Sequence, residues 1–275
     1  MPTVHPTATV EATVRLADDV VIGPWCVLTG DIEIGAGCRL VGNVYLQGPL
    51  RLGERNIIYP FSSLGFSPQD LKWDPDESGA GLVIGNDNTF REGVTIHRAT
   101  SHQTPTRIGD RNFLMCNSHV AHDCLVGNNC SFANGVLLAG HVRVDDRAVI
   151  GGNTTIHQHA RVGRGSMCSG AVGLSRDLPP FFMLTGLNVA ASLNVIGLRR
   201  SGASSAEIQD VRWAFRTLQR SGLALKTALD QLRQRADRPI IAEYIEFIET
   251  SRRGICPGVG RASRSTVVSG ESADG

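Results

Sequence analysis

The sequence predicts a parallel β-helix followed by a smaller α-helical domain. Three observations carry that expectation: an aliphatic residue returning every sixth position, 31 glycines beside only 5% aromatics, and a switch to helical spacing beyond Ser204. The six-residue step starts at Val4 and runs through Val10, Leu16, Ile22, Leu28, Ile34, Leu40, Leu46, Leu52, Ile58 and Leu64. It resumes at Ile84, Phe90 and Ile96, then at Ile108, Leu114, Val120, Val126, Phe132, Leu138, Val144, Ile150, Ile156, Val162 and Cys168. All 25 anchors are apolar in a chain that is 41% apolar, which chance does not produce.

A period of six with one large aliphatic anchor makes each hexad a short strand and a bend, so that three hexads close one triangular coil. The fifth position of a hexad points inward at a corner and favours compact residues. It holds Ala8, Val14, Cys26, Cys38, Ser118, Cys124, Cys130, Ala148 and Ser166, which makes four of the seven cysteines small buried hydrophobes. The repeat is interrupted at residues 66–83 and 102–107, where loops are expected to project from the solenoid. It stops at Asp177-Leu178-Pro179-Pro180. Ser204-Ser205-Ala206-Glu207 then reads as a capping box opening a helix with Ile208, Val211, Phe215 and Leu218 on one face. Thr227 is placed as the cap of a second helix with Leu229 and Leu232, and Pro239 as the opening of a third with Ile241, Tyr244, Ile245 and Ile248. These signals divide the chain into a β-helix over 1–190, a helical domain over 191–256 and an aperiodic Gly/Ser-rich tail over 257–275, expected to be unstructured.

Lys and Arg total 27 against 26 Asp and Glu, for a net charge of +1, and no nucleic-acid partner is expected. The balance is uneven, with residues 1–190 at net −3 and residues 191–275 at net +4, which suits either a second domain with its own partner or helices that carry solvated arginines. No apolar run reaches the ~18 residues of a membrane span, and the start of the chain has no signal-peptide pattern. Seven cysteines without CxxC pairing suit a reducing compartment, so the expected location is cytoplasmic.

Hexads eighteen residues apart occupy the same face of successive coils, about 4.8 Å apart. Those starting at 120, 138 and 156 carry His122, His141 and His157. If residues 102–107 loop out, His97 joins them, and His119 lies just before the same face. Five of the eight histidines therefore converge on one strip. Imidazoles so gathered can bind zinc, or one can act as a general base while others position a substrate. Asp123 follows His122, but strand neighbours point oppositely, so its support is expected through the bend rather than by direct pairing.

The segments Asn117-Ser118-His119-Val120-Ala121-His122-Asp123-Cys124, Leu138-Ala139-Gly140-His141-Val142 and Ile150-Gly151-Gly152-Asn153-Thr154-Thr155-Ile156-His157-Gln158 carry a specific resemblance. With Thr95-Ile96-His97-Arg98, Gln69-Asp70-Leu71-Lys72, Gly197-Leu198-Arg199-Arg200 and Ser251-Arg252-Arg253-Gly254-Ile255, the chain resembles the acyl-carrier-protein–UDP-N-acetylglucosamine O-acyltransferases that open lipid A synthesis. The resemblance implies a left-handed β-helix, a homotrimer with sites between subunits, and an acyl donor carried on the phosphopantetheine of acyl carrier protein. It implies no other cofactor and no metal. It implies that His122 is the general base for the sugar 3-hydroxyl, that Asp123 orients it, and that the Gly140 N–H receives the oxyanion. Asp70, Lys72, His119, His141, His157 and Gln158 resemble substrate contacts, Asn194 and Arg200 the nucleotide region, and Gly170 the position that sets acyl length. Arg199, Arg212, Arg216 and Arg220 are candidates to meet the acidic carrier protein.

The chain departs from the family pattern at Ile196, where a glutamate is usual, at His159, where an aromatic is usual, and at Asn153, where methionine is expected. The last departure admits an acceptor with a 3-amino group, because an amide can satisfy more protons than a thioether. The alternative of another reaction class is a γ-type carbonic anhydrase with three histidines on zinc, which would leave the helical domain and Gln69-Asp70-Leu71-Lys72 without a purpose.

Overall fold

The computed structural model describes residues 1–74 and 77–259, so most of the tail expected over 257–275 lies outside the described residues. Strands of two to five residues wind into a three-faced prism. The first face has eleven strands, the second nine and the third eight, and within each face the chain returns every third strand. Pairings along the solenoid are parallel and in step, as in Thr95↔His119, Leu137↔Thr155 and Arg143↔Arg161, except for a shift of one residue between Leu64 and Phe66 where Ser63–Phe66 pairs Thr95–His97.

The six-residue pattern gives this architecture directly. Every anchor from Ile22 to Cys168 is buried, none more than 4% exposed, and together they fill the prism. Each such aliphatic side chain withdrawn from water contributes about 1.5–3 kcal/mol. The compact fifth positions from Cys26 to Ser166 are at most 1% exposed. Burial pushes the thiols of Cys124 and Cys130 up to about 12, so they pack as hydrophobes. Three further fifth positions hold Asn56, Asn88 and Asn112. Asn88 donates from both its backbone N–H and its Nδ2 to Asn56 Oδ1 at 2.9 Å. The Asn112 N–H donates to Asn88 Oδ1 and the Cys130 N–H to Asn112 Oδ1, each at 2.8 Å. This buried amide ladder satisfies corner backbone that the strands do not reach.

The first coil is barer. Val4 is 40% exposed, and Val10 and Leu16 are half-buried, because no coil covers them. Of the 66–83 interruption, Phe66 ends one strand, Leu82 and Val83 begin the next, and residues 69–74 and 77–78 are mostly exposed loop held down by Arg98, which is 4% exposed. Its guanidinium donates to Gln47 Oε1 at 3.2 Å, the Gly65 carbonyl at 3.3 Å, Ser67 Oγ at 2.9 Å and the Glu77 carbonyl at 3.1 Å.

The far end is closed differently from the expectation. An antiparallel hairpin, Phe182–Gly186 with Val189–Leu193, extends the first face, so the anticipated boundary at 190/191 falls inside a strand. A short helix α1 (Val195–Arg200) follows, capped by Asn194. Helix α2 (Ser205–Phe215) has the expected capping box and runs on into a π-helical turn over Arg216–Arg220. Helix α3 (Leu225–Arg233) starts before Thr227, which is therefore inside it rather than its cap, and α4 (Pro239–Glu249) opens with the proline. The helices sit on the last coils. Phe182 meets Phe215 edge-on at 5.0 Å, the Tyr244 hydroxyl donates to the Pro180 carbonyl at 2.8 Å, and Arg164 holds Glu243 at 2.6 and 3.0 Å. Among the described residues no helix is long and apolar enough to cross a membrane.

Candidate active site

The histidines gather along the edge between the second and third faces. His122 and Asp123 are both turn residues there, between strands His119–Val120 and Leu125–Val126, with Asp123 at φ +59°. The strand argument against direct pairing therefore does not apply. His122 Nδ1 lies 2.7 Å from Asp123 Oδ2. Asp123 also accepts from Thr100 Oγ1 at 2.7 Å, and from the Thr100 and Ser101 N–H groups at 3.1 Å each. Burial opposes its ionisation, but the hydrogen bonds from His122, Thr100 and Ser101 outweigh it and hold the carboxyl well below the usual range. A carboxylate can only accept, so His122 carries its proton on Nδ1 and presents the Nε2 lone pair outward.

The eighteen-residue step stacks two columns on this edge. One runs His122, Gly140, Gln158; the other runs Asp123, His141, His159, at φ +59°, +61° and +63°. A Cβ at Gly140 would stand 2.6 Å from His122 Cε1 and 2.7 Å from Nε2, so only glycine lets the imidazole lie against the coil above. The Gly140 N–H donates to no protein acceptor among the described residues. His141 packs edge-on against His122 at 5.2 Å and stacks on His159 at 4.5 Å. His159, set aside as a departure, is thus part of the cluster, and the same eighteen-residue step from His141 finds it. Thr100 and Ser101, which hold Asp123, end the hexad begun at Ile96 but lie past the strand Thr95–His97, where the chain has already left the coil, so their position was not readable from the repeat.

On the second face His119 Nδ1 meets Thr95 Oγ1 at 2.7 Å, and His97 meets His119 edge-on at 5.0 Å. His119 is itself a strand residue on this face, not a corner one. Burial, with His119 and His122 nearby, pushes His97 down to about 4. Above about pH 6.5 this ring is neutral in both folded and unfolded chains. As the pH falls toward 4 the unfolded chain binds the proton first, so stability drops by roughly 3 kcal/mol across that window. Chemical denaturation between pH 7 and 4 should show this loss, reduced in His97→Asn; an equal slope in both proteins would assign the acid sensitivity elsewhere.

A groove of about 820 Å³ runs along the second face, lined by His119, His122, Gly140, His157, Gln158, Gly173 and Leu187 among others. Gln69 reaches it from the loop, whereas Asp70 and Lys72 are exposed and outside its lining. Asp70 Oδ1 accepts the Lys72 N–H at 3.0 Å and shapes the loop. Gly170 and Asn153 lie on a different edge, between the first and second faces, also outside the lining. The left-handed backbone of Asn153 (φ +55°), which asparagine tolerates better than methionine, accounts for that departure without reference to the acceptor.

Asn194 and Arg200 are also remote from the groove. Asn194 Oδ1 caps α1 by accepting the Gly197 N–H at 2.9 Å, and its Nδ2 donates to the Gly165 carbonyl at 3.0 Å on the edge between the third and first faces. Arg200 is exposed in the last turn of α1, and Ile196 is 65% exposed. One ligand atom from each of His122, Asp123 and His141 lies within 4.8 Å of the others, a spacing that can hold a divalent cation.

Residues 177–256 match the family model described as UDP-N-acetylglucosamine O-acyltransferase, domain 2, and residues 105–140 match the bacterial transferase hexapeptide model. The chain is 42% identical over 258 residues to the acyl-[acyl-carrier-protein]–UDP-N-acetylglucosamine O-acyltransferase of Stutzerimonas stutzeri, covering 93% of this chain and 99% of that one. It is 42% identical over 259 residues to the protein of the same name from Thermodesulfovibrio yellowstonii, covering 93% and 100%. Among solved structures, the Francisella novicida UDP-N-acetylglucosamine acyltransferase superposes with a TM-score of 0.91 at 31% identity, covering 98% of this chain and 100% of that one. The Campylobacter jejuni enzyme superposes at 0.87 with 36% identity, covering 93% and 99%.

Proposed function

The chain belongs to the acyl-[acyl-carrier-protein]–UDP-N-acetylglucosamine O-acyltransferase family, and from that premise we propose how this groove performs the transfer. It is an acyltransferase of the first step of lipid A synthesis, moving a β-hydroxyacyl chain from acyl carrier protein to the 3-hydroxyl of UDP-N-acetylglucosamine. His122 Nε2 takes the hydroxyl proton as that oxygen attacks the thioester carbonyl. The tetrahedral oxyanion falls beside the Gly140 N–H, and its collapse breaks the C–S bond. The imidazolium, supported by ionised Asp123, returns the proton to the leaving thiolate. The observation that carries this reading is the outward Nε2 of His122 with Asp123 behind it and an unpaired Gly140 N–H beside it. His119, His141, His157 and Gln158 border the same groove or corner and serve to position substrate.

The test is an acyl-transfer assay with UDP-N-acetylglucosamine against a panel of β-hydroxyacyl carrier-protein thioesters. Absence of an acylated product at every chain length would refute the assignment. Its 3-amino analogue belongs in the same assay, although Asn153 gives no reason to expect a preference for it. The anhydrase alternative has no use for the domain spanning residues 177–256.

The placement of the expected nucleotide residues supports a homotrimer. Asn194 and Arg200 lie by the edge between the third and first faces, where Arg147 also reaches the Ser201 carbonyl, while His122 lies on the edge between the second and third. One chain cannot join them; a second copy around a threefold axis can bring one chain's α1 to the other's histidine edge. The same packing offers Gly170, Asp70 and Lys72 a route to the groove. Sedimentation is expected to give three chains per particle, and an active monomer would overturn the arrangement. Arg212, Arg216 and Arg220, exposed at four-residue spacing, form a basic stripe suited to an acidic carrier protein in a cytoplasmic setting.

A further inference from the structure

Beyond the histidine edge a second hollow of about 440 Å³ is lined by His159, Arg161, Asp177, Thr250, Arg252 and Arg253. Its charges do not cancel. Asp177 is 1% exposed, and its oxygens accept the Arg161 N–H at 2.9 Å, Arg161 Nε at 2.8 Å and Ser251 Oγ at 2.7 Å. Asp177 and Arg161 therefore neutralise each other in the wall. Arg253 is tethered through Nε to the Ser175 carbonyl at 2.6 Å, which leaves its two terminal nitrogens without a protein acceptor among the described residues. Arg252 is exposed and makes no hydrogen bond or ion pair among the described residues. Two guanidinium groups thus face one hollow with no carboxylate left to pair them.

The hollow adjoins the site already described. Ser175, which anchors Arg253, also lines the groove, and His159 stacks on His141, which packs on His122. Guanidinium groups present planar forks of donors matched to phosphate oxygens.

We propose that Arg252, Arg253 and His159 form a binding site for a phosphate-ester anion of a substrate. The inference rests on the acyltransferase reading above. Both substrates carry such a group: the phosphodiester of the donor's phosphopantetheine arm and the pyrophosphate of the sugar nucleotide. Within one chain the site is separate from Arg200, which lies on another edge of the prism.

Calorimetry with inorganic pyrophosphate, which needs no turnover, tests the site on the full chain. Arg252→Ala, at a side chain with no internal contact to lose, should weaken pyrophosphate binding at least about ten-fold, and Arg252→Lys should recover part of it. In the assay, Arg252→Ala should raise KM for one substrate with kcat nearly unchanged. A rise for protein-free acyl-phosphopantetheine assigns the site to the donor, and a rise for UDP-N-acetylglucosamine assigns it to the acceptor. Equal pyrophosphate binding in parent and variant, with both KM values unchanged, would overturn the proposal. A parent that binds pyrophosphate through Arg252 but transfers no acyl group would instead refute the reaction and keep the anion site.

Discussion

His122→Ala is expected to cut kcat by roughly 10²–10⁴-fold while the protein folds normally. The size follows from the chemistry: without Nε2 nothing in the groove is paired with a carboxylate and turned toward the acceptor hydroxyl. The intact fold follows from the position, since His122 is a turn residue and its neighbours Val120 and Leu138 carry the packing inside the prism. Initial rates at saturating donor and acceptor, with a thermal melt on the same sample, check both halves. A variant that turns over at near-parental rate would remove His122 from the mechanism.

Gly140→Ala should be nearly as damaging although it adds one methyl group. That methyl would stand 2.6–2.7 Å from His122 Cε1 and Nε2, far inside contact distance, so the imidazole must swing off Asp123 or the coil must shift. Either outcome separates the base from its carboxylate, and a loss of about 10²-fold or more is expected. Because the substitution acts through His122, the double variant should be little worse than His122→Ala alone. Losses that multiply in the double variant would show that Gly140 acts independently of the base.

The β-helix was legible because its physics is periodic. Each coil repeats one requirement, an aliphatic anchor such as Ile108 or Val144 with a compact corner such as Cys124, and repetition turns a weak preference into a clear signal. What repetition does not cover was missed. The hairpin at Phe182–Leu193 extends the first face without the six-residue step, and α1 is six residues long with its cap, Asn194, followed closely by Gly197. The candidate site was half legible for the same reason. Spacing by eighteen brought His122, His141 and His157 to one strip and the family resemblance added Gly140, but the alternation rule for strands misjudged Asp123, which is a left-handed turn residue. Thr100 and Ser101 fall inside the hexad begun at Ile96, yet the chain leaves the coil after His97, so the register of the repeat did not show that they reach Asp123. Residues expected from family resemblance alone, Asn194, Arg200, Asp70, Lys72 and Gly170, lie outside the single-chain groove, and only the threefold packing proposed above would bring them to it.

The two ends of the prism are unequal, and this gives its unravelling a direction. A stack in which each coil touches only its neighbours opens from whichever end costs least. At the far end the hairpin and helices clamp the last coils through Tyr244, Arg164 and Phe215, whereas the first coil has only half-buried or exposed anchors and one neighbour. Amide protons should therefore exchange first over residues 3–16, and protection should deepen coil by coil toward the histidine edge. His122 and Asp123 follow the sixth of the nine strands on the second face, so the bare end can fray and re-form without disturbing their geometry.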